Sequence, residues 1–238
     1  MDLKEEEILG EQVDAHWYYK AKAAALLRDL SGYTPTSVLD IGAGSGFFSH
    51  QLLEHTSAMR ATCVDIGYPR DRDEVYCGKP LAFRRAITQS DADLVLAMDV
   101  IEHVADSEAM MGPYVDLVSS GTRFIFSVPA FAFLWSGHDV FLGHHRRYTR
   151  DSLERTVRNC GLIVDFSHYY YGAVFPLAAS LRLLEHVRSG RNHEPKSQLR
   201  QHGRLVNGVL SVLCAAERPV MRANKFFGLT VFAGCHKP

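Results

Sequence analysis

The sequence predicts one α/β domain built around a mostly parallel β-sheet. Short apolar segments, typical of buried strands, alternate along the chain with segments of helical pattern. The first of these strands ends in a glycine-rich turn that opens a helix. The 238 residues are 47% hydrophobic and 22% charged, an ordinary globular composition at a length that suits one domain. We therefore expect a sheet that is covered by helices on both faces.

Capping and turn residues mark the ends of these elements. The first helix stops at Ser31-Gly32, a later one begins at Thr149 and ends before Gly161, and Pro113 predicts a kink or a late start in another. The predicted strands are 37–41, 60–66, 93–98, 123–128, 162–170 and 229–236, and the predicted helices are 13–30, 47–55, 107–119 and 149–160.

The C-terminal part departs from this alternation. Two apolar helical patterns, 174–187 and 205–223, precede the last strand and are separated by a polar linker. They predict a helical insertion over 172–225, in a single domain spanning 1–238 that begins with a helical cap over 1–32. We expect the insertion to serve core packing or a homodimer interface. A lid over a hydrophobic acceptor and contact with a membrane surface are the alternatives. The apolar stretches are shorter than the ~20 residues of a membrane span.

Charge and cysteine usage narrow the classes of partner. The net charge is −1 and the chain has no dense run of Lys and Arg, which argues against nucleic acid. The five cysteines form no CxxC pair, so neither a disulfide framework nor a zinc site is indicated. The acidic N-terminus does not resemble a secretory signal. We therefore expect a cytoplasmic protein that acts on a small molecule.

The glycine-rich turn carries the strongest functional signal. Backbone N–H groups of such a turn can approach a ligand closely. A dinucleotide site with the spacing G-x-G-x-x-G would need glycine where Phe47 stands, and the third glycine here is Gly46. Asp40, just before the turn, would repel a pyrophosphate. The pattern thus favours a ligand with an ammonium group and no phosphate.

A second acidic residue lies at the end of the next strand. Asp65 comes at about the ~20-residue distance at which an acid meets a ribose diol in nucleotide-binding folds. The alternative is that Asp65 only caps a loop.

These segments resemble, in order, motifs of the class I S-adenosylmethionine-dependent methyltransferases. The resemblance rests on the segments VLDIGAGSGFFS, CVDIGY with its acidic residue, and DLVLAMDVIEHV. The last segment is similar to the branch that includes the ubiquinone-biosynthesis methyltransferases. HWYY, GHHRRYTRDSLERTVRNCGL and FFGLTVFAGCHKP are similar to a bacterial group of mostly uncharacterised members. The resemblance implies a Rossmann-like, seven-stranded, mostly parallel sheet whose last strand is antiparallel. It also implies S-adenosyl-L-methionine as the cofactor.

The resemblance further implies cofactor roles by position. Asp65 would bind the ribose hydroxyls, Ile66 would pack on adenine, and Lys22 would offer a positive charge to the carboxylate. The alternative is that Lys22 is a solvent-exposed charge on the helix with no role at the cofactor. The residues implied to surround the cofactor are Lys22, Asp40, Gly42, Ala43, Gly44, Gly46, Asp65, Ile66, Met98, Asp99 and Val100.

The acceptor is expected in the loop after the strand 123–128, because ligands of open α/β sheets lie beyond the carboxyl ends of the strands. This loop combines aromatic residues with histidines that can take a proton near neutral pH. The candidate bases are His138, His144 and His145, and the candidate acceptor contacts are Trp135 and Tyr148. We expect no metal, because His144 and His145 adjoin Arg146 and Arg147. Glu102 and His103 are expected to orient loops.

The sequence thus predicts a methyltransferase that acts on a small organic acceptor. The nucleophile of the acceptor is an oxygen, nitrogen or carbon atom, and the acceptor is hydrophobic if the insertion serves as a lid. A nucleotide-dependent oxidoreductase and a catalytically inactive cofactor-binding homologue are the alternatives. Nucleic-acid acceptors are disfavoured because residues 99–102 read Asp-Val-Ile-Glu, where an Asn-Pro-Pro-aromatic motif would stand.

Overall fold

The computed structural model describes residues 16–189 and 203–238. The strands are β1 Ser37–Ile41, β2 Arg60–Val64, β3 Arg72–Tyr76, β4 Lys79–Arg84, β5 Leu94–Met98, β6 Arg123–Pro129, β7 Ile163–Tyr170 and β8 Thr230–His236. The α-helices are α1 Trp17–Asp29, α2 Phe47–His55, α3 Ser107–Leu117, α4 Gly137–Leu142, α5 Arg150–Asn159, α6 Phe175–Ser189 and α7 Arg204–Glu217. Short 3₁₀ helices cover Ile101–His103, Ala132–Leu134 and Arg218–Ala223.

All eight strands form one sheet, in the order β3-β4-β2-β1-β5-β6-β8-β7. The central neighbours from β4 to β6 are parallel, whereas β8 runs antiparallel to both β6 and β7. This topology confirms the predicted fold class. The carboxyl ends of β1, β2, β5 and β6 therefore meet at one edge of the sheet, where a ligand would bind.

The sheet has one strand more than the seven that the resemblance implies. The six strands predicted by range lack β3 and β4, which form a hairpin. They are antiparallel and joined by Cys77 and Gly78, whose φ angles are 51° and 74°. Two such positive angles are typical of a tight hairpin turn. β3 is a charged edge strand with three exposed residues, so it lacks the apolar alternation that identifies a strand from sequence.

Two apolar clusters cover the faces of the sheet. β1 and β5 are buried along their whole length, as expected for central parallel strands. α1 and α2 pack on one face, with Leu26 and Phe48 in its core, and Leu153 of α5 packs into the core of the other. The packing of α1 on this core places its side chains over the carboxyl ends of β1 and β5.

The predicted helical insertion before the last strand is present as α6, α7 and the following 3₁₀ helix. α7 packs on α1, where the Trp17 backbone N–H donates to Asn207 Oδ1 at 2.9 Å. The Tyr170 hydroxyl donates to the Cys214 carbonyl at 3.1 Å. The linker 190–202 and the first fifteen residues of the predicted N-terminal cap lie outside the described residues. No helix in the described ranges is long and apolar enough to cross a membrane.

Candidate active site

The glycine turn joins β1 to α2 in a geometry that requires glycine. Gly42 has a φ angle of +62°, and a Cβ atom there would lie 2.7 Å from Val100 Cγ2. Gly46 has a φ angle of +78° and precedes the first residue of α2. A side chain at Gly42 would therefore need both a strained backbone and a shift of Val100. The turn brings the backbone of β1 close to the chain leaving β5.

Asp65 connects the glycine turn to the loop after β2. Its Oδ2 accepts a hydrogen bond from the Gly44 backbone at 3.1 Å, and its Oδ1 accepts one from Gly67 at 2.8 Å. Asp65 thus caps a loop, as the alternative interpretation holds, while its side chain is only half-buried. The adjacent Ile66 is 85% exposed. Binding of ribose by Asp65 and of adenine by Ile66 stays a prediction.

Asp40 lies beneath the turn and is 1% exposed. Ser49 of α2 donates a hydrogen bond to its Oδ2 at 2.9 Å. Burial raises the pKa of Asp40 to about 6, although the hydrogen bond from Ser49 opposes this rise. Asp40 therefore fixes the start of α2 against the end of β1.

Lys22 of α1 is fully buried and forms an ion pair with Asp99 at the end of β5. Its ammonium also donates to the Tyr18 hydroxyl at 2.6 Å, and Ser127 donates to Asp99 Oδ1 at 3.1 Å. Burial alone would lower the pKa of Lys22, but the charges and hydrogen bonds of Asp99 and Tyr18 together outweigh burial and raise the pKa above its usual value. Lys22 is therefore not a solvated helix charge. The sequence analysis did not anticipate that its partner is Asp99.

A cavity of about 190 Å³ lies between the ends of β5 and β6 and the helices α4 and α6. Its apolar walls include Leu134, Leu142 and Leu229, and α6 contributes Ala178 and Arg182. Its ionisable walls are Asp99, Glu102, His103, His138, His144 and Arg147. Two of the three histidines predicted as bases, His138 and His144, therefore reach this cavity.

His144 is oriented by Asp139, which is fully buried in α4. The Asp139 Oδ1 atom lies 2.9 Å from His144 Nδ1, and Arg147 donates to both carboxylate oxygens at 2.7 and 3.0 Å. Burial would raise the pKa of Asp139, but the contacts with His144 and Arg147 hold it well below its usual range. An ionised Asp139 accepts a hydrogen bond from the Nδ1–H group of a neutral ring, which leaves Nε2 as the proton acceptor.

The other predicted acceptor residues lie elsewhere. His145 is exposed, and its backbone N–H donates to the Glu102 carbonyl at 2.7 Å. Tyr148 is 3% exposed, and its hydroxyl lies 2.9 Å from the Ser107 hydroxyl. Trp135 is half-buried. Among the described residues that line the cavity, neither Trp135 nor Tyr148 is found. Their acceptor roles stay predictions without a contact that supports them.

Glu102 is a cavity residue that the sequence analysis interpreted only as a loop-orienting group. It is fully buried, and neither of its carboxylate oxygens has a hydrogen-bond partner among the described residues. Burial, reinforced by the negative charge of Asp99, raises the pKa of Glu102 well above its usual value. Glu102 is the fourth residue after the end of β5, and this proximity to the carboxyl end of a buried strand was the available signal.

Glu102, His103 and His144 could together hold a metal ion, since their candidate ligand atoms lie within 4.8 Å of one another. The neighbouring arginines face other groups, because Arg146 donates to the Ala105 carbonyl and Arg147 to Asp139. Their adjacency in sequence is thus no argument against a cation. The absence of a metal stays a prediction.

The strand order, the glycine turn after β1 and the acid after β2 define the fold of a class I methyltransferase. A family model described as a methyltransferase domain (Methyltransf_23) matches residues 15–165. The chain therefore belongs to this methyltransferase family. Membership confirms the resemblance seen in the sequence and supports S-adenosylmethionine as the cofactor, while neither predicted alternative is favoured. No curated protein matches the chain significantly.

Solved structures share the fold at low sequence identity. The protein solved in complex with the Trm112 methyltransferase activator of Haloferax volcanii is 16% identical, with a TM-score of 0.54 over 95% of this chain and 92% of that one. The N-methyltransferase NodS of Bradyrhizobium japonicum, in complex with S-adenosylhomocysteine, is 13% identical, with a TM-score of 0.53 over 96% and 91%. The cyclase SpnF is 13% identical, with a TM-score of 0.51 over 91% of this chain and 82% of that one. These similarities show the fold alone, and the fold hosts more than one reaction.

Proposed function

We propose that this protein transfers a methyl group from S-adenosylmethionine to a small organic acceptor bound in the cavity between α4 and α6. The observation that carries the proposal is the oriented pair of Asp139 and His144. It places a proton acceptor at a cavity that also reaches Asp99, at the end of the strand next to the glycine turn.

The residues at the carboxyl end of the sheet fit the cofactor. The missing side chain at Gly42 lets the glycine turn pack closely against Val100 after β5, and Ile66 presents an exposed apolar surface for a flat ring. Asp65 would hold the ribose hydroxyls while it keeps its bonds to Gly44 and Gly67. When bound, the cofactor supplies a methyl group on a sulfonium.

Lys22 takes a different part in this proposal from the one that the resemblance implies. A direct bond from its ammonium to the cofactor carboxylate would compete with the ion pair to Asp99. Lys22 therefore positions the Asp99 carboxylate at the cavity. Asp40, beneath the turn, adds negative charge near the expected methionine end of the cofactor.

The chain's own chemistry is the removal of a proton. A hydroxyl acceptor must lose its proton as its new bond to carbon forms, and an ammonium must lose one beforehand to free its lone pair. His144 Nε2 would take the proton in either case. Asp139 then stabilises the imidazolium through Nδ1–H, as an orienting carboxylate does in other histidine-dependent sites. Burial raises the pKa of Glu102, and in its protonated form Glu102 can donate a hydrogen bond to the acceptor's oxygen. The arrangement favours an acceptor that carries an exchangeable proton, and the volume of about 190 Å³ favours a small one.

Binding of S-adenosylhomocysteine should raise the melting temperature of the protein, whereas NAD and FAD should not. A ligand that binds only the native state stabilises it by about 2.7 kcal/mol at a hundred times its dissociation constant. Differential scanning calorimetry measures this shift, and isothermal titration gives the affinity. Tight binding of NAD together with no binding of S-adenosylhomocysteine would contradict the proposed function.

Replacing Asp65 by Ala should weaken S-adenosylhomocysteine binding by about 1–3 kcal/mol, the usual range for a charge-assisted hydrogen bond. The matched control is Asp91→Ala, because Asp91 is also an acid but is exposed and paired with Arg60. Asp91 lies near Ser37 at the start of β1, far along the strand from the glycine turn. Isothermal titration should show a loss for Asp65→Ala only. Equal affinities for the two variants would remove Asp65 from the ribose site.

A further inference from the structure

Exposed apolar side chains are concentrated in the helical insertion. Of the eighteen large hydrophobic side chains that are exposed in the described part of the chain, twelve lie between residues 177 and 227. Leu205, Val212 and Phe226 are exposed to 81%, 68% and 79%. Single exposed apolar residues are normal on a protein surface, but their concentration in one segment of the chain is typical of a region that binds a partner or a membrane.

These side chains form stripes on the two helices. Leu177, Leu181 and Leu184 follow one another on α6 at intervals of four and three residues, and Leu205, Val209 and Val212 do the same on α7. Such spacing places each set along one side of its helix. α7 already contacts the domain through other residues, including the buried Cys214. The apolar stripe on α7 is therefore not buried by the packing of α7 against α1.

The insertion also differs from the rest of the chain in charge. Residues 172–228 contain nine Lys and Arg against three Asp and Glu. The remainder of the chain contains 17 Lys and Arg against 24 Asp and Glu. A segment with a net charge of +6 thus belongs to a chain whose net charge is only −1. The described parts of this segment, 172–189 and 203–228, hold six of the nine basic residues and two of the three acidic ones, so they keep a net charge of +4.

We propose that α6, α7 and the segment leading to β8 form a docking surface for an anionic lipid bilayer. Amphipathic helices with basic residues bind in the interfacial plane of such a bilayer, with their apolar stripes among the acyl chains. The net positive charge of the segment argues against a second copy as the occupant, because a two-fold interface would bring two segments of like charge together. An anionic membrane complements both the apolar stripes and the charge.

The position of α6 connects this surface to the cavity. Ala178 and Arg182 line the cavity, while Leu177 and Leu181 of the same helix are exposed. A protein docked through α6 would hold the cavity close to the bilayer. This consequence rests on the proposed function, whereas docking itself is tested without any methyl transfer.

Co-sedimentation of the full chain with vesicles tests the proposal. The protein should bind vesicles in which about a third of the lipid is phosphatidylglycerol at least about tenfold better than vesicles of phosphatidylcholine alone, and less as salt rises. The combined variant Leu205→Gln/Val212→Gln/Phe226→Gln should lose about tenfold in binding. The control variant Met59→Gln/Val75→Gln/Ile163→Gln removes three exposed apolar side chains outside the insertion and should bind like the unmodified protein.

Three results would overturn the proposal. They are no binding to anionic vesicles, equal losses in both variants, and a dimer in light scattering that only the insertion variant dissociates. The last result would identify the surface as an interface between copies. The melting-temperature shift with S-adenosylhomocysteine shows that each variant is folded, and its failure in the unmodified protein would count against the proposed function rather than against docking.

Discussion

Replacing His144 by Ala should lower methyl transfer by roughly 10²–10⁴-fold and leave the affinity for S-adenosylhomocysteine unchanged. The reason is that His144 is oriented by the buried Asp139 and reaches the cavity, whereas its contacts do not include the glycine turn. Removal of a base affects the reacting acceptor and not the binding of the cofactor. Turnover is measured with an acceptor identified by transfer of a labelled methyl group, and affinity is measured by isothermal titration.

The adjacent histidine provides a matched control. His145 is exposed, so His145→Ala should keep full turnover. Asp139→Asn should lower turnover nearly as much as His144→Ala, because an amide cannot stabilise the imidazolium. The variants His138→Ala and His103→Ala test the two other cavity histidines. The assignment of His144 is wrong if His144→Ala keeps its turnover while either of those two variants loses it.

Replacing Lys22 by Met should destabilise the protein by about 3–5 kcal/mol, which is the usual cost of leaving one partner of a buried ion pair uncompensated. Lys22 is fully buried, and its ammonium bonds both Asp99 and Tyr18. The side chain of Asp99 is about one-fifth exposed, so water can stabilise part of its unpaired charge. The loss of stability should therefore be about 3 kcal/mol, at the lower end of this range. The free energy of unfolding from urea titration measures the change.

The same helix supplies the control for this experiment. Lys20 is exposed, so Lys20→Met should change the free energy of unfolding by less than about 0.5 kcal/mol. Adding Asp99→Asn to Lys22→Met should restore part of the lost stability, because it removes the uncompensated charge. A loss for Lys22→Met no larger than that for Lys20→Met would show that the pair does not stabilise the fold.

Local sequence was sufficient for the features that depend on near neighbours in the chain. The apolar run of β1, the positive φ angles of Gly42 and Gly46, and the helix that follows are all properties of consecutive residues. The motifs around them indicated the fold class and the family. The hairpin of β3 and β4 was not predicted because its edge strand is polar. Only the pairing of β4 with β2 shows where the hairpin lies.

The sequence by itself determined the fold class, the glycine turn and the family. Only the tertiary structure decided which groups meet. Lys22 and Asp99 are 77 positions apart, and no periodicity couples residues so distant. The same holds for Glu102, whose burial depends on the elements packed around it and on no local pattern. Burial removes water and strengthens charge interactions, so the state of each ionisable group follows from packing that a linear pattern does not specify.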